Sequence, residues 1–265
     1  MSDLHADETP LWVIASAIDI VRRAAPDIIT LTGDYVSATL TFQQEYLKAR
    51  SRLARIAPTF AVMGNHDGGT WAYQADGYRE SGLMRRFVEK AGIPVLHNRQ
   101  VEIHLGDRQL QLIGLGDLWS GEFEPEYAFQ SSREDQPTVV LSHNPDSKSW
   151  IKSWHWNLML SGHTHGGPLI VPLSGETPLA PQSELGDMYT GLRPGWTGTS
   201  RSHEGSAQYT GFASIAPLRW RFLTWSNASA ALAWEVSPPP EIITITLRAA
   251  GAPPYQAHRQ RRFRG

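Results

Sequence analysis

Five short fragments rich in histidine, aspartate and asparagine punctuate this chain: Ser2-Asp3-Leu4-His5, Gly33-Asp34, Gly64-Asn65-His66-Asp67, Ser142-His143-Asn144 and Gly162-His163-Thr164-His165. Half of the ten histidines fall inside them. Carboxylate and amide oxygens and imidazole nitrogens are ligands for divalent cations. Together they can fill the shells of two ions. Two such ions side by side are equipment for hydrolysing phosphate esters.

Taken singly, each fragment has a bland reading. Asp3-x-His5 could be a solvated N-terminal loop, and Gly33-Asp34 a simple turn. His143 before Asn144-Pro145 could begin another turn. His163-x-His165 between glycines is the strongest piece, because Gly162 and Gly166-Gly167 permit close backbone approach and the two imidazoles can reach different ions. Five in succession, the later four each closing an apolar run, favour the joint functional reading.

The elements that must position these fragments are legible in outline. Thr9-Pro10 starts a helix whose stripe is Trp12, Ile14, Ala15, Ile18 and Val21, closed by Pro26. Residues 27–32 form a β-rich run into Gly33-Asp34. Thr41 caps a second helix, with Phe42, Leu47, Leu53 and Ile56 inward, and Pro58 stops it. Residues 59–63 form a strand into Gly64-Asn65-His66-Asp67. A third helix is predicted over 77–90. Strands follow at 93–96, 100–105, 109–115 and 138–141, with a hairpin turn at Gly106-Asp107. A last strand at 156–160 runs into the His163 loop. Ligands in α/β sheets gather beyond the carboxyl ends of strands, so these loops can converge. Beyond Pro172 the pattern weakens. Residues 193–236 suggest no regular strand pairing, Pro238-Pro239-Pro240 is a break, and residues 241–247 alternate as a closing strand.

The chain has 265 residues, 41% of them hydrophobic, which suits one large α/β domain with a real core. Cysteine is absent, so any metal site uses oxygen and nitrogen donors. A formal charge of −2 gives no broad field for nucleic acid. No apolar run approaches the ~18 residues of a membrane span. The domain is read as residues 1–248, with 172–236 atypical, and 249–265 as a flexible basic tail. Trp150, Trp154 and Trp156 read as packing residues, with a place beside the substrate mouth as the second option. His97, His104, His155, His203 and His258 read as exposed polar residues, with substrate contact as the second option for His97 and His203.

The order Asp-x-His, Gly-Asp, Gly-Asn-His-Asp, His, Gly-His-x-His resembles the calcineurin-like metallophosphoesterases, over roughly residues 2–171. Gly114-Leu115-Gly116-Asp117, Leu141-Ser142-His143-Asn144-Pro145-Asp146 and the Gly-His-Thr-His-Gly-Gly run resemble the bacterial phosphodiesterase branch that includes UDP-2,3-diacylglucosamine hydrolases. The resemblance implies an α/β fold of two packed mixed sheets flanked by helices, a four-layer α/β/β/α sandwich. It implies that Asp3, His5 and His165 hold a first divalent ion, that Asn65, His143 and His163 hold a second, and that Asp34 bridges both. His66 is then a proton donor oriented by Asp67, and the nucleophile is a water made acidic by the shared ions. Manganese is the expected metal, with iron or zinc as alternatives.

Two departures set further expectations. The family runs an apolar strand into Asp-x-His, whereas Met1 stands there in this sequence. Asp3 and His5 are therefore expected on a fraying terminus, with weak occupancy of the first ion. Relatives also carry an arginine-glycine segment and a further strand before the closing one, which residues 193–236 do not show, and Pro168 stands where relatives often carry glutamine.

The activity expected is cleavage of a phosphodiester or pyrophosphate bond in a lipid or nucleotide substrate. The rivals are a phosphomonoesterase, including a protein phosphatase, and an inactive metal-binding scaffold. The expected location is cytoplasmic. Peripheral contact of the arginine tail with the inner membrane and an upstream leader are both left open, as is the oligomeric state.

Overall fold

The structure, a computed structural model, describes residues 1–40, 43–105 and 108–163, together with the backbone of four later strands. Thr41, Phe42, Gly106-Asp107, His165 with its following glycines, Pro168, the triple proline and the tail at 249–265 lie outside the described residues.

Helix α1 (Leu11–Ala24) buries Ile14, Ala17, Ile18 and Val21, the i, i+3, i+4, i+7 face of a helix. Trp12, expected in that stripe, is 71% exposed. It lies two residues from Ile14, about 200° round the helix axis, and so points to the far side. Strand β1 (Ile28–Leu31) follows and is buried at every residue. Helix α2 (Gln43–Ala54) seats Leu53 in the core and leads to strand β2 (Thr59–Ala61), which pairs parallel to β1.

The predicted helix over 77–90 is shorter, and a small helix precedes it. Helix α3 (Thr70–Gln74) follows Gly68 and Gly69, whose φ values of 144° and 102° favour glycine. Helix α4 (Gly82–Lys90) starts only after Ser81, whose backbone N–H and hydroxyl both donate to the Glu122 carboxylate. A partner 41 residues away sets that boundary, so local pattern could not reveal it. The run at 93–96 makes a bridge between Val95 and Ala61 in place of a full strand. Pro94 has no N–H to donate to a ladder.

Strands β3 (Arg99–Leu105), β4 (Arg108–Gly114), β5 (Thr138–Leu141) and β6 (Leu158–Leu160) form a mixed four-stranded sheet in the order β3-β4-β5-β6. The β3–β4 pair is antiparallel and the other two pairs are parallel. Helix α5 (Pro125–Phe129), absent from the sequence reading, packs Ala128 and Phe129 with Ile113, Val140 and Met159.

Residues 193–236 depart from expectation. They contain strands β7 (Thr197–His203), β8 (Ser206–Phe212) and β9 (Trp220–Ser226). With β10 (Glu241–Leu247), the expected closing strand, they extend the first sheet to the order β2-β1-β9-β10-β8-β7. Strand β9 runs parallel to β1 and antiparallel to β10. Its sequence WRFLTWS carries large apolar residues at both odd and even positions, which hides any alternation. Such a run suits a strand flanked on both sides.

The result is an α/β architecture of two mixed sheets flanked by helices. One core joins α1, α2 and α4 to β1 and β2, and a second joins α5 to β4, β5 and β6. Each core side chain removed from water contributes roughly 1.5–3 kcal/mol. That rigidity is available to hold the loops beyond β1, β2, β5 and β6.

Candidate metal centre

Asp34 lies just past β1, Asn65, His66 and Asp67 past β2, His143 past β5 and His163 past β6. Strands β1, β2, β5 and β6 thus deliver their polar residues to the same end. The N-terminal segment reaches it too. Thr32 donates to the Met1 carbonyl at 2.8 Å, and Asp3, His5 and Ala6 donate to the carbonyls of Gly33, Asp34 and Tyr35 at 2.9, 3.1 and 2.8 Å. Asp3 is fully buried and His5 is 3% exposed. The expected fraying is overturned, because successive backbone hydrogen bonds tie this segment beside β1.

Asp34 is the hub. Its Oδ2 lies 3.0 Å from His143 Nε2 and 3.9 Å from His5 Nε2, while its Oδ1 accepts the His66 N–H at 3.0 Å. Gly64 makes room for this carboxylate, since a Cβ there would collide with Oδ1. Two groups of potential ligand atoms share Asp34. One is His5, Asp34 and His66, the other Asp34, His143 and His163, and within each group the atoms lie inside 4.8 Å of one another.

Backbone conformation marks the same residues. Seven described non-glycine residues have φ in the left-handed region, and Asp3 (53°), His5 (38°), Asp34 (52°) and His163 (73°) are four of them. Such conformations cost energy and persist where the surroundings over-determine them. Their concentration on the candidate ligands points to a site built for function.

Three of the imidazoles are each oriented by a specific partner. His143 Nδ1 lies 2.7 Å from the Thr32 carbonyl oxygen, which can only accept. Nδ1 therefore carries a hydrogen, and Nε2 is the ring atom that faces Asp34. His5 Nδ1 lies 3.0 Å from Ser37 Oγ. His66 Nδ1 lies 2.6 Å from the Ser37 carbonyl oxygen. Ser37 thus serves two rings at once. Asp7 fixes it, accepting from the N–H groups of Ser37 and Ala38 at 2.6 and 3.0 Å.

Asp67 does not orient His66 as expected. Its Oδ1 accepts from Tyr35 N–H at 2.7 Å and its Oδ2 from Gly64 N–H at 2.8 Å. Both oxygens are spent on backbone, so Asp67 clamps the β1 and β2 loops together. Beneath the clamp lies Arg50, fully buried, its guanidinium 4.5 Å from the Tyr35 ring centre and 5.5 Å from that of Phe87.

The charges are strongly coupled. Burial opposes ionisation of Asp34, but His143, with help from His5 and His66, outweighs it and holds the carboxyl well below the usual range. Burial likewise disfavours a charge on His143, yet Asp34, Asp3 and Asp117 push its pKa well up. Asp67 goes the other way. Burial and the neighbouring Asp34 charge raise its carboxyl to about 7, against the pull of its two backbone donors.

The donor set fits divalent cations. Two ligand atoms each ~2.0–2.2 Å from one ion and ~90° apart are ~3 Å from each other. The Asp34–His143 separation of 3.0 Å meets that spacing. Asn65 Oδ1 is buried and has no hydrogen-bond donor among the described residues. A buried acceptor left so is costly unless something electropositive meets it. The Asp3 carboxylate receives the His163 N–H at 3.0 and 3.2 Å, which joins the N-terminal segment to the β6 loop.

The sequence reading missed several neighbours. Ser37 carries no motif signal. Asp117, noted only as part of a Gly-Leu-Gly-Asp string, is buried and accepts from the Trp119 and Ser120 N–H groups at 2.8 and 3.1 Å. Trp119 stands edge-on to His163 with ring centres 4.5 Å apart, and Trp71 lies 4.3 Å from His66. The tryptophans singled out from sequence lie in other surroundings. Trp154 stacks on Phe129 at 5.2 Å, Trp156 is core, and Trp150 is 65% exposed. His97 is also not an exposed polar residue. It is largely buried, 3.4 Å from Glu122.

Comparison with known proteins agrees with this geometry. The family model described as calcineurin-like phosphoesterase matches residues 1–167. The chain is 42% identical over 183 residues to phosphodiesterase YaeI of Escherichia coli, a match covering 68% of this chain and 64% of that one. It is 26% identical over 212 residues to the UDP-2,3-diacylglucosamine pyrophosphatase LpxG of Chlamydia muridarum, covering 65% and 64%. An uncharacterised metallophosphoesterase of Bacillus subtilis, YkoQ, is 29% identical over 175 residues, covering 65% and 62%. The chain thus spans less than two thirds of the length of these relatives. The matched region contains every strand-end loop that converges on Asp34, and on that ground the chain belongs to the calcineurin-like phosphoesterase family.

Proposed function

We propose that the chain hydrolyses phosphate esters with two divalent ions, and that the bond cut is a phosphodiester or a pyrophosphate. The observation that carries this reading is the gathering of His5, His143 and His163 around the shared carboxylate of Asp34. In the proposed assignment Asp3, His5 and His165 hold one ion and Asn65, His143 and His163 the other, with Asp34 common to both. Bound there, two ions supply a nucleophilic water at neutral pH and offset charge on the phosphoryl oxygens. Manganese is the proposed metal, since the donors are carboxylate, amide and imidazole with no thiolate.

The chain's own contribution is placement and proton transfer. His143 and His5 are held by Thr32 and Ser37, so their Nε2 atoms face Asp34. His66 is held at Nδ1 by the Ser37 carbonyl, so in the protonated ring it is Nε2 that carries the transferable proton. Delivered to the departing oxygen, that proton is worth typically ~10²–10⁴ in rate. The preference for diesters over monoesters draws support from the names of the two characterised relatives, a phosphodiesterase and a pyrophosphatase.

The test is to assay bis(4-nitrophenyl) phosphate and 4-nitrophenyl phosphate side by side, with manganese and with chelator. The expected result is manganese-dependent release from the diester, well above that from the monoester. Release from neither, in protein shown to hold metal, overturns the reading.

A further inference from the structure

Two indole rings stand at the candidate centre, one on each ligand group. Trp71 lies against His66, in the group with His5, at 4.3 Å and a 58° tilt. Trp119 meets His163, in the group with His143, at 4.5 Å and 90°. Trp71 is half-buried and Trp119 is 43% exposed, so each keeps ring surface open to solvent.

The two rings are carried by a single braced unit. Thr70 N–H donates to the Ser120 carbonyl at 2.7 Å, which joins the Gly68–Trp71 turn to the Asp117–Gly121 turn. A Cβ on Gly69 would collide with Ser120, so the two backbones touch. Asp117 accepts from the Trp119 and Ser120 N–H groups, and Ser120 Oγ donates back to the Asp117 carbonyl at 2.8 Å. Indole faces bind planar groups by stacking, and rigid walls lose little entropy when they do so.

We propose that Trp71 and Trp119 are the specificity walls of the site, each receiving one ester arm of the substrate, and that they select phosphodiesters carrying planar aromatic arms. The inference rests on the phosphodiesterase reading above. Trp71 neighbours the proposed proton donor His66 and therefore receives the departing arm. Trp119 stands on the opposite ligand group and receives the retained arm. An aryl or nucleobase-bearing arm offers a planar face that can stack on an indole. A methyl arm covers little of either ring.

The experiment compares phenyl 4-nitrophenyl phosphate with methyl 4-nitrophenyl phosphate in manganese-loaded protein. The departing group is the same in both, so only the retained arm differs. The parent is expected to prefer the phenyl arm in kcat/KM by roughly five- to a hundredfold, the range that stacking on one ring supplies. Trp119→Leu brings that ratio toward one through the phenyl ester's KM, and Trp119→Phe restores part of it. Trp71→Leu slows both esters together, because both share the departing arm. A parent that turns over both esters equally, or a Trp119→Leu variant that keeps the parent's ratio, overturns the wall proposal while leaving the phosphodiesterase reading intact. Failure of the parent on both esters refutes that reading instead.

Discussion

His66 Nδ1 lies 2.6 Å from the carbonyl oxygen of Ser37. A carbonyl can only accept, so Nδ1 keeps its hydrogen and Nε2 is the atom from which the protonated ring gives up a proton. His66→Asn removes that proton and leaves all the assigned metal ligands in place. Turnover of a diester should fall ~10²–10⁴-fold while bound metal per chain stays at the parent value. Metal analysis and steady-state kinetics on the same preparation check this, and an unchanged kcat excludes His66 as donor.

Ser37 offers a sharper separation, because its two polar atoms serve different rings. Ser37→Ala removes the Oγ that faces His5 and keeps the carbonyl that faces His66. Loss of such an orienting partner typically costs ~10–100-fold in metal affinity. The expectation is a higher manganese requirement with near-parent kcat once metal is saturating. A kcat loss that manganese cannot recover would place Ser37 in proton transfer instead.

The Asp67 clamp predicts instability more than a chemical defect. Asp67→Asn leaves one oxygen to accept from Tyr35 or Gly64, and it turns an NH2 toward the other donor. One buried backbone donor then goes without an acceptor, at a cost of ~1–3 kcal/mol. The variant should melt several °C below the parent, as expected of ~1–3 kcal/mol in a domain of this size. Parent-like melting with lost turnover would point to direct chemistry by Asp67.

How far the sequence could lead is clear from these residues. Ligand candidates were legible because metal chemistry needs specific side chains, and strands β1, β2, β5 and β6 were legible as apolar runs that end in those side chains. Ser37 was invisible because it acts partly through its backbone, and backbone has no letter. Asp67 was misassigned because adjacency to His66 in sequence suggested contact, whereas the 3-10 turn at Asn65–Asp67 aims its carboxylate at Gly64 and Tyr35. The start of α4 depends on Glu122, and the burial of Asp3 depends on β1, both tertiary facts. Strand β9 hid behind apolar residues at both parities. His165 lies outside the described residues, and its role stays with the proposal.

Stability should depend on pH in opposite ways with and without metal. In metal-free protein the Asp67 carboxyl is raised from 3.8 to about 7, so the folded state binds its proton more tightly than the unfolded state does. That contribution is complete below the unfolded value and is lost as pH rises through the folded one. His143, also raised, adds a loss of the same sign above the ordinary histidine value of 6.5. The lowered Asp34 acts oppositely, but in the acid range below 3.8. Between about pH 5 and 8 the chelated protein should therefore lose several °C in Tm, while manganese, favouring ionised Asp67 and neutral His143, flattens or reverses the slope. Parallel melts in chelator and in manganese check this, and two coincident slopes would disconnect these groups from the metal.

Metal stoichiometry tests the centre most directly. The sequence alone led to an expectation of weak occupancy at the first ion, because Asp3 and His5 lie so near the start of the chain. Their burial and the hydrogen bonds to Gly33 and Asp34 argue for a firm site instead. Manganese titration followed by metal analysis should give two ions per chain. Asn65→Ala removes a buried oxygen from one side of Asp34 and should leave one ion tightly held and the other lost. Asp34→Ala removes the shared carboxylate and should weaken both. The two variants differ because Oδ2 of Asp34 faces His143 on one side and His5 on the other, whereas Asn65 is assigned to a single ion. Loss of one ion only in Asp34→Ala would mean that the carboxylate does not bridge, and the two ligand groups would then be independent sites.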